Sequence, residues 1–346
     1  MPTIDYEVKL DFSDVLLVPK RSELESRKDV EPERTFIFKH SKRIWHGVPV
    51  VVANMDTTGT IQMTRVLQKY KMITCLHKFY TVDEIPDDLD PDYYAISTGI
   101  TEKDLVRLDD IILKKNPHFV CLDVANGYSV KFIETVKIIR TKYPMITLIA
   151  GNIVTADLVQ ELALIGVDLV KAGVGSGSCC TTRLQTGVGY PQMSAVLECA
   201  NAAHGMNIRL MSDGGIQNVG DISKAFAGGA DFVMCGSMFA GHDECNGKLI
   251  EENSKMYHIF YGMSSTMAME IHHGGIASYR SSEGKCVKVP YKGKVEDTVL
   301  NILGGIRSTM TYIGAKKLKD MSKCGHFIRV NNQVNRIYSG SEHNLS

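Results

Sequence analysis

The sequence predicts an α/β protein built on a closed parallel (β/α)8 barrel, with an N-terminal arm and a C-terminal extension. Three observations carry this. Short apolar runs rich in β-branched residues recur eight times, and stretches of helical periodicity separate them. The most glycine-rich segments fall directly after the sixth, seventh and eighth runs, at the barrel end where catalytic loops gather.

The elements follow in order. An arm containing FSDVLLVPKRS precedes the first run. The expected strands are Val48–Ala53, Met72–Leu76, Tyr93–Ser97, Phe119–Asp123, Thr147–Ala150, Leu169–Ala172, Ile208–Ser212 and Phe232–Cys235. Amphipathic stretches such as Leu158–Ile165 and Ile222–Ala227 supply the intervening helices. After the eighth run, Lys255–Gly262 reads as an added strand leading into GMSS, and 264–294 reads as a mobile flap. A last helix is expected over Val295–Ile313, and a flexible tail over 325–346. The barrel occupies about 48–315 of a single catalytic domain spanning 1–346, without low-complexity linkers.

Composition narrows the function classes. With 346 residues, 44% hydrophobic, the chain is long enough to bury a large core. Lys plus Arg equal Asp plus Glu at 39 each, so no basic surface for nucleic acid is expected. The opening MPTIDYEVKLDF lacks the apolar stretch of a signal peptide, and no run approaches a membrane span, which points to the cytosol. Nine cysteines without a C-x-x-C pair fit a reducing compartment better than a disulfide framework or zinc ribbon.

The chemistry concentrates in GVGSGSCCTTR at 173–183. Alternate glycines let the backbone turn sharply and approach a ligand, hydroxyls and an arginine offer donors to an anion, and a thiol invites nucleophilic catalysis. SDGGI at 212–216 and CGSMFAG at 235–241 are glycine-rich strand ends suited to holding a phosphate. A dinucleotide fingerprint built on Gly173, Gly175, Gly177 and Glu198 is disfavoured, because Glu198 falls inside a helical run. Lys171 opens a rival, an aldolase-like Schiff base. A flavin-dependent oxidoreductase and a non-catalytic phospholigand barrel remain further alternatives. His272 and His273 lack an evident third partner for a metal.

The pattern G-x-G-x-x-C-T-T-R resembles the active-site loop of the inosine monophosphate dehydrogenase and guanosine monophosphate reductase family, and the resemblance runs from near the N-terminus to about residue 315. It implies that Cys180 is the nucleophile, with Cys179 in a packing role, and that Thr182 and Glu283 form the acid–base pair. A monovalent cation, usually potassium, would sit among Gly175, Gly177, Cys180 and Arg183. Substrate would meet Ser178, Asp213, Gly214, Gly215, Gly236 and Ser237 at its ribose phosphate, and Gly262, Met263 and Ser264 at its purine. Arg280, Ser281, Ser282 and Gly284 would close over it. NADPH would contact Lys78, Asp123, Val124, Ala125, Val174, Gly175, Tyr279 and Arg280. Ser26, Arg27, Ser308, Thr309, Met310 and Thr311 match cofactor contacts, some made across a subunit boundary of an expected homotetramer.

ANMDTTGT, DVANGYS and YRSSEGK resemble the reductase branch, which implies NADPH-dependent deamination of GMP to IMP. The inserted regulatory domain of the dehydrogenases is absent between the second and third barrel units. The flap YRSSEGKCVKVPYKG also contains no Arg-Tyr dipeptide, the pair that helps dehydrogenases activate water. Dehydrogenase activity remains the alternative within the family.

Overall fold

A computed structural model describes residues 3–274 and 281–331. Eight strands close into a parallel barrel: Val50–Val52, Ile73–Leu76, Tyr94–Thr98, Phe119–Asp123, Thr147–Ile153, Leu169–Ala172, Arg209–Asp213 and Phe232–Cys235. Each expected strand is present, and the last pairs back onto the first through Val233 and Val50. The strands read as continuous apolar runs because both faces are buried. Val50 and Val52 pack outward under the helices, whereas Val51 points into the barrel beside Ile73, Phe119, Leu169 and Phe232.

The helices follow from their buried stripes. Val295–Ile313 buries Val295, Val299, Ile302, Ile306, Met310 and Ile313, the spacing of one helical face. Glu102–Lys115 starts at a capping box in which Thr101 and Asp104 satisfy each other's backbone N–H, and ends at left-handed Asn116.

Several elements depart from the sequence expectation. A hairpin of Arg34–Ile37 and Ile44–Gly47 closes the barrel's N-terminal end, where Phe36 lies 4.7 Å from Phe232 between ring centroids. The floor is therefore sealed, and only the opposite end is open. The segment expected as a mobile flap contains a helix, Thr266–His273, and a strand, Cys286–Pro290. That strand completes a three-stranded antiparallel sheet with Leu249–Glu252 and Lys255–Tyr261, which supplies the backbone partners that hold it. Where the reading expects a flexible tail, Phe327–Arg329 pairs with Val15–Leu17. The remainder of that tail, from 332 onward, lies outside the described residues.

Candidate active site

The loop after the sixth strand leaves the barrel at Gly173, where a Cβ would lie 1.9 Å from the carbonyl oxygen of Asp213. Only glycine allows that close approach. The loop is then fastened from two sides. Ser176 O accepts the N–H of Gly215 at 2.9 Å, tying it to the end of the seventh strand, and Cys180 N–H closes a turn onto Gly177 O at 3.0 Å. From the extension, Glu283 O accepts Thr181 N–H at 2.7 Å, and Lys285 N–H donates to Cys179 O at 2.9 Å. Gly284 must be bare here too, since a Cβ would sit 2.8 Å from Ser265 N.

This clamp brings together groups that are remote in sequence. Cys180 Sγ donates to Thr182 Oγ1 at 3.2 Å, and the Thr182 hydroxyl donates to Glu283 Oε2 at 2.7 Å. The two adjacent cysteines face different surroundings. Cys179 is 5% exposed and packs with Ala240 and Phe260, where burial pushes its thiol pKa up. Both border a cavity of about 270 Å3 at the open end of the barrel, but Cys180 is the more exposed of the two and is the one bonded to Thr182. A thiol facing a cavity and bonded to a hydroxyl–carboxylate pair is placed for proton transfer during nucleophilic attack.

Lys171, 2% exposed, lies 2.6 Å from both Asp123 Oδ1 and Asp213 Oδ2. Burial alone would lower its pKa, but the two carboxylates outweigh that and leave it above the ordinary lysine value. Burial raises the Asp123 carboxyl, yet Lys171 outweighs it and the net shift is downward. A doubly paired ammonium has no free electron pair for a carbonyl carbon, which removes the Schiff-base reading. Asn54 Nδ2 donates to Asp123 at 3.0 Å, and Asn152 Nδ2 donates to Asp213 at 2.8 Å, so both carboxylates are held against the cavity wall.

Arg183 departs from its expected use as an anion donor. Its guanidinium bonds Asp11 Oδ2 at 3.1 Å and Tyr190 O at 2.6 Å, and it does not line the cavity. Asp11 neutralises its charge.

Of the residues expected at the substrate, Ser178, Asp213, Gly214, Gly215, Gly236, Ser237, Gly262, Met263, Ser264 and Gly284 line this cavity, as do Thr182 and Glu283. Ser282 instead bonds Gly284 O at 3.0 Å, and Ser281 bonds Gln185 at 3.3 Å. Gly175, Gly177 and Val174 lie on the wall formed by the thiol loop. A second cavity of about 320 Å3 contains Lys78 and shares Asn54, Asp123, Val124, Ala125, Met263 and Ser264 with the first. Helix residues Ser308–Thr311 and the turn at Ser26 and Arg27 line neither cavity, although Arg307 from that helix donates to Val30 O at 3.0 Å beside the turn. Tyr279 and Arg280 lie outside the described residues.

Sequence reasoning missed Asn54 and Asn152. Polar amides at the C-terminal ends of barrel strands were the available signal. It weighed His272 only as a metal ligand, whereas that side chain shares a 2.6 Å hydrogen bond with Asp56, stacks on Phe79 and lines the second cavity.

A family model described as the IMP dehydrogenase / GMP reductase domain matches residues 9–337. GMP reductase 1 of Mus musculus is 54% identical over 98% of this chain and 100% of its own length. GMP reductase of Caenorhabditis elegans is 54% identical over 98% of this chain and 96% of its own. GMP reductase 1 of Homo sapiens is 53% identical over 98% and 100%, respectively.

Proposed function

Because the chain belongs to the IMP dehydrogenase / GMP reductase family, we infer that it catalyses the NADPH-dependent reduction of GMP to IMP with release of ammonia. The observation that carries the mechanism is the line Cys180–Thr182–Glu283 facing one cavity, with a second cavity on the other side of a shared wall.

The thiol proton passes to Glu283 through the Thr182 hydroxyl as Cys180 attacks carbon 2 of the guanine. The same relay returns that proton to the 2-amino group. Protonated, it leaves as ammonia while the carbon–sulfur bond remains and the ring nitrogen–carbon double bond re-forms. The second cavity, bounded by Lys78, Asp123 and the Met263–Ser264 wall common to both cavities, fits a cofactor laid against the substrate. The chemistry NADPH supplies when bound is a hydride to carbon 2. The carbon–sulfur bond then breaks, the electron pair returns to Cys180, and IMP is free to leave. Lys171 holds Asp213 in place to accept hydrogen bonds from the ribose hydroxyls. The glycine-rich ends at Gly214 and Gly236–Ser237 offer backbone N–H groups to the phosphate, beside Gly215, whose own N–H is taken up by Ser176 O.

We extend the proposal to a monovalent cation held by backbone carbonyls of Gly175, Gly177, Cys180 and Arg183. An all-carbonyl donor set suits a hard, weakly demanding cation rather than a thiophilic metal. The chain is proposed to act as one catalytic domain, assembled into a homotetramer in which Ser26, Arg27, Ser308, Thr309, Met310 and Thr311 meet cofactor, some of them across a subunit boundary. No helix among the described residues is long and apolar enough to cross a membrane. All nine cysteines are free, which supports a cytosolic site of action.

Acid quenching during turnover of GMP and NADPH, followed by peptide mapping, tests the covalent route. A purine nucleotide adduct on the peptide carrying Cys180 is expected. Unmodified Cys180 together with GMP-dependent NADPH oxidation by Cys180→Ala would overturn it.

A further inference from the structure

The N-terminal arm is fastened to the base of the thiol loop by one carboxylate, that of Asp11. Its Oδ2 accepts from Arg183 at 3.1 Å, and its Oδ1 accepts the backbone N–H of Gln192 at 2.6 Å. Arg183 directly follows Thr182, the middle member of the relay. Its aliphatic stem is wedged between the two limbs of the loop, 2.8 Å and 2.5 Å from where a Cβ on Gly175 or Gly189 would stand. The guanidinium also donates to Tyr190 O at 2.6 Å, and Tyr190 N–H donates to Val174 O at 3.2 Å. The return limb is thus pinned to the outgoing one through Arg183.

The second oxygen acts on a different element. Helix Gln192–Gly205 begins at Pro191 with no side-chain cap of its own, so Asp11 supplies the acceptor, and the negative charge, that this helix start lacks. The Gln192 side chain is fully buried, donates to Ala172 O at 2.9 Å and Ser212 Oγ at 3.2 Å, and packs beneath Gly215. Lys9 and Leu10 reinforce the attachment, Lys9 to Glu198 at 2.9 Å and Leu10 N–H to Ser194 Oγ at 2.8 Å.

We propose that Asp11 is a positioning residue for the reaction. Through Arg183 it fixes the limb that carries Thr182, and through Gln192 it fixes the floor under the phosphate-binding glycines. Its effect on turnover rests on the GMP reductase reading, whereas its effect on the loop does not.

Two variants of the full chain separate the two bonds. Asp11→Asn keeps an oxygen for Gln192 N–H but cannot neutralise Arg183, and Asp11→Ala loses both. For Asp11→Asn, kcat should fall roughly tenfold to a hundredfold, the scale of a misplaced catalytic group, with the KM for GMP nearly unchanged. Asp11→Ala should raise that KM as well. Hydrogen–deuterium exchange, read on the same proteins without substrate, should show faster uptake confined to 174–192. Wild-type kcat in both variants would overturn the proposal, as would unchanged exchange over that segment. Faster exchange spread evenly over the barrel would overturn it too, since that marks a merely structural role. If the wild-type protein proves inactive on GMP, the reaction assignment fails, and exchange still decides whether Asp11 holds the loop.

Discussion

Replacing Glu283 by glutamine isolates the proton relay from everything else that segment does. The backbone of Glu283 accepts from Thr181 at 2.7 Å and donates to Ser264 at 3.2 Å, and neither bond involves the side chain. Glutamine keeps an amide oxygen able to accept the Thr182 hydroxyl, now 2.7 Å from Glu283 Oε2, so the loop geometry should persist. What disappears is the capacity to hold and return a proton. Loss of a general acid–base group costs about 10²–10⁴ in rate. That range corresponds to roughly 2.7–5.5 kcal/mol in barrier height, which begins near the top of the about 1.5–3 kcal/mol of one hydrogen bond to a charged group and extends well above it. Ammonia release and NADPH oxidation should fall together by that factor at saturating GMP, while the dissociation constant for GMP stays close to wild type. Turnover within roughly threefold of wild type would refute the relay, because no general acid is worth so little. An equal loss in GMP affinity would refute the assignment to chemistry rather than binding.

Three further outcomes follow from the same geometry. Cys180→Ala should abolish turnover and retain GMP binding, whereas Cys179→Ala, which trims a small apolar cluster, should keep activity and lose about 1 kcal/mol in urea unfolding; the reverse pattern would exchange their roles. Lys171→Met leaves Asp123 and Asp213 facing each other without a cation, so it should cost about 3–5 kcal/mol and weaken GMP binding, and a loss under roughly 1 kcal/mol would show that the ion pairs do not hold the wall. Burial pulls the His77 pKa from 6.5 down to about 4, so the unfolded chain takes up a proton in that window and the folded protein does not. Stability is therefore full above pH 6.5 and declines toward pH 4, by on the order of 3 kcal/mol from this group. His77→Asn retains an acceptor for Phe79 N–H and should flatten that decline, and identical pH profiles would contradict the assignment.

The parts of the molecule legible in the sequence are those whose signal is local. Each barrel strand is buried on two faces and so appears as an apolar run, which is why all eight were found in place. The glycines at 173 and 284 also announce close approaches, although only folding shows what approaches them. The hairpin at the barrel floor was missed because its strands are short and half exposed, with Phe36 and Trp45 inward but Ile37 and Ile44 at 60% and 65% exposure. Glu283 by itself reads as a solvated charge, and only family resemblance singled it out. Its contact with Thr182 spans 101 residues and depends on the extension folding back over the barrel. Arg183 failed as an expected anion donor for the same reason, since its partner Asp11 lies 172 residues upstream and no local pattern reveals that a charge is already neutralised.

The direction of the redox chemistry is the most direct test, because dehydrogenase and reductase would pass through the same Cys180-linked purine. Purified protein is given GMP with NADPH in one reaction and IMP with NAD in another, and ammonia and purine products are measured in both. Ammonia and IMP formed in step with NADPH consumption in the first reaction is the predicted result. Efficient conversion of IMP to xanthosine monophosphate in the second, with the first silent, would contradict it.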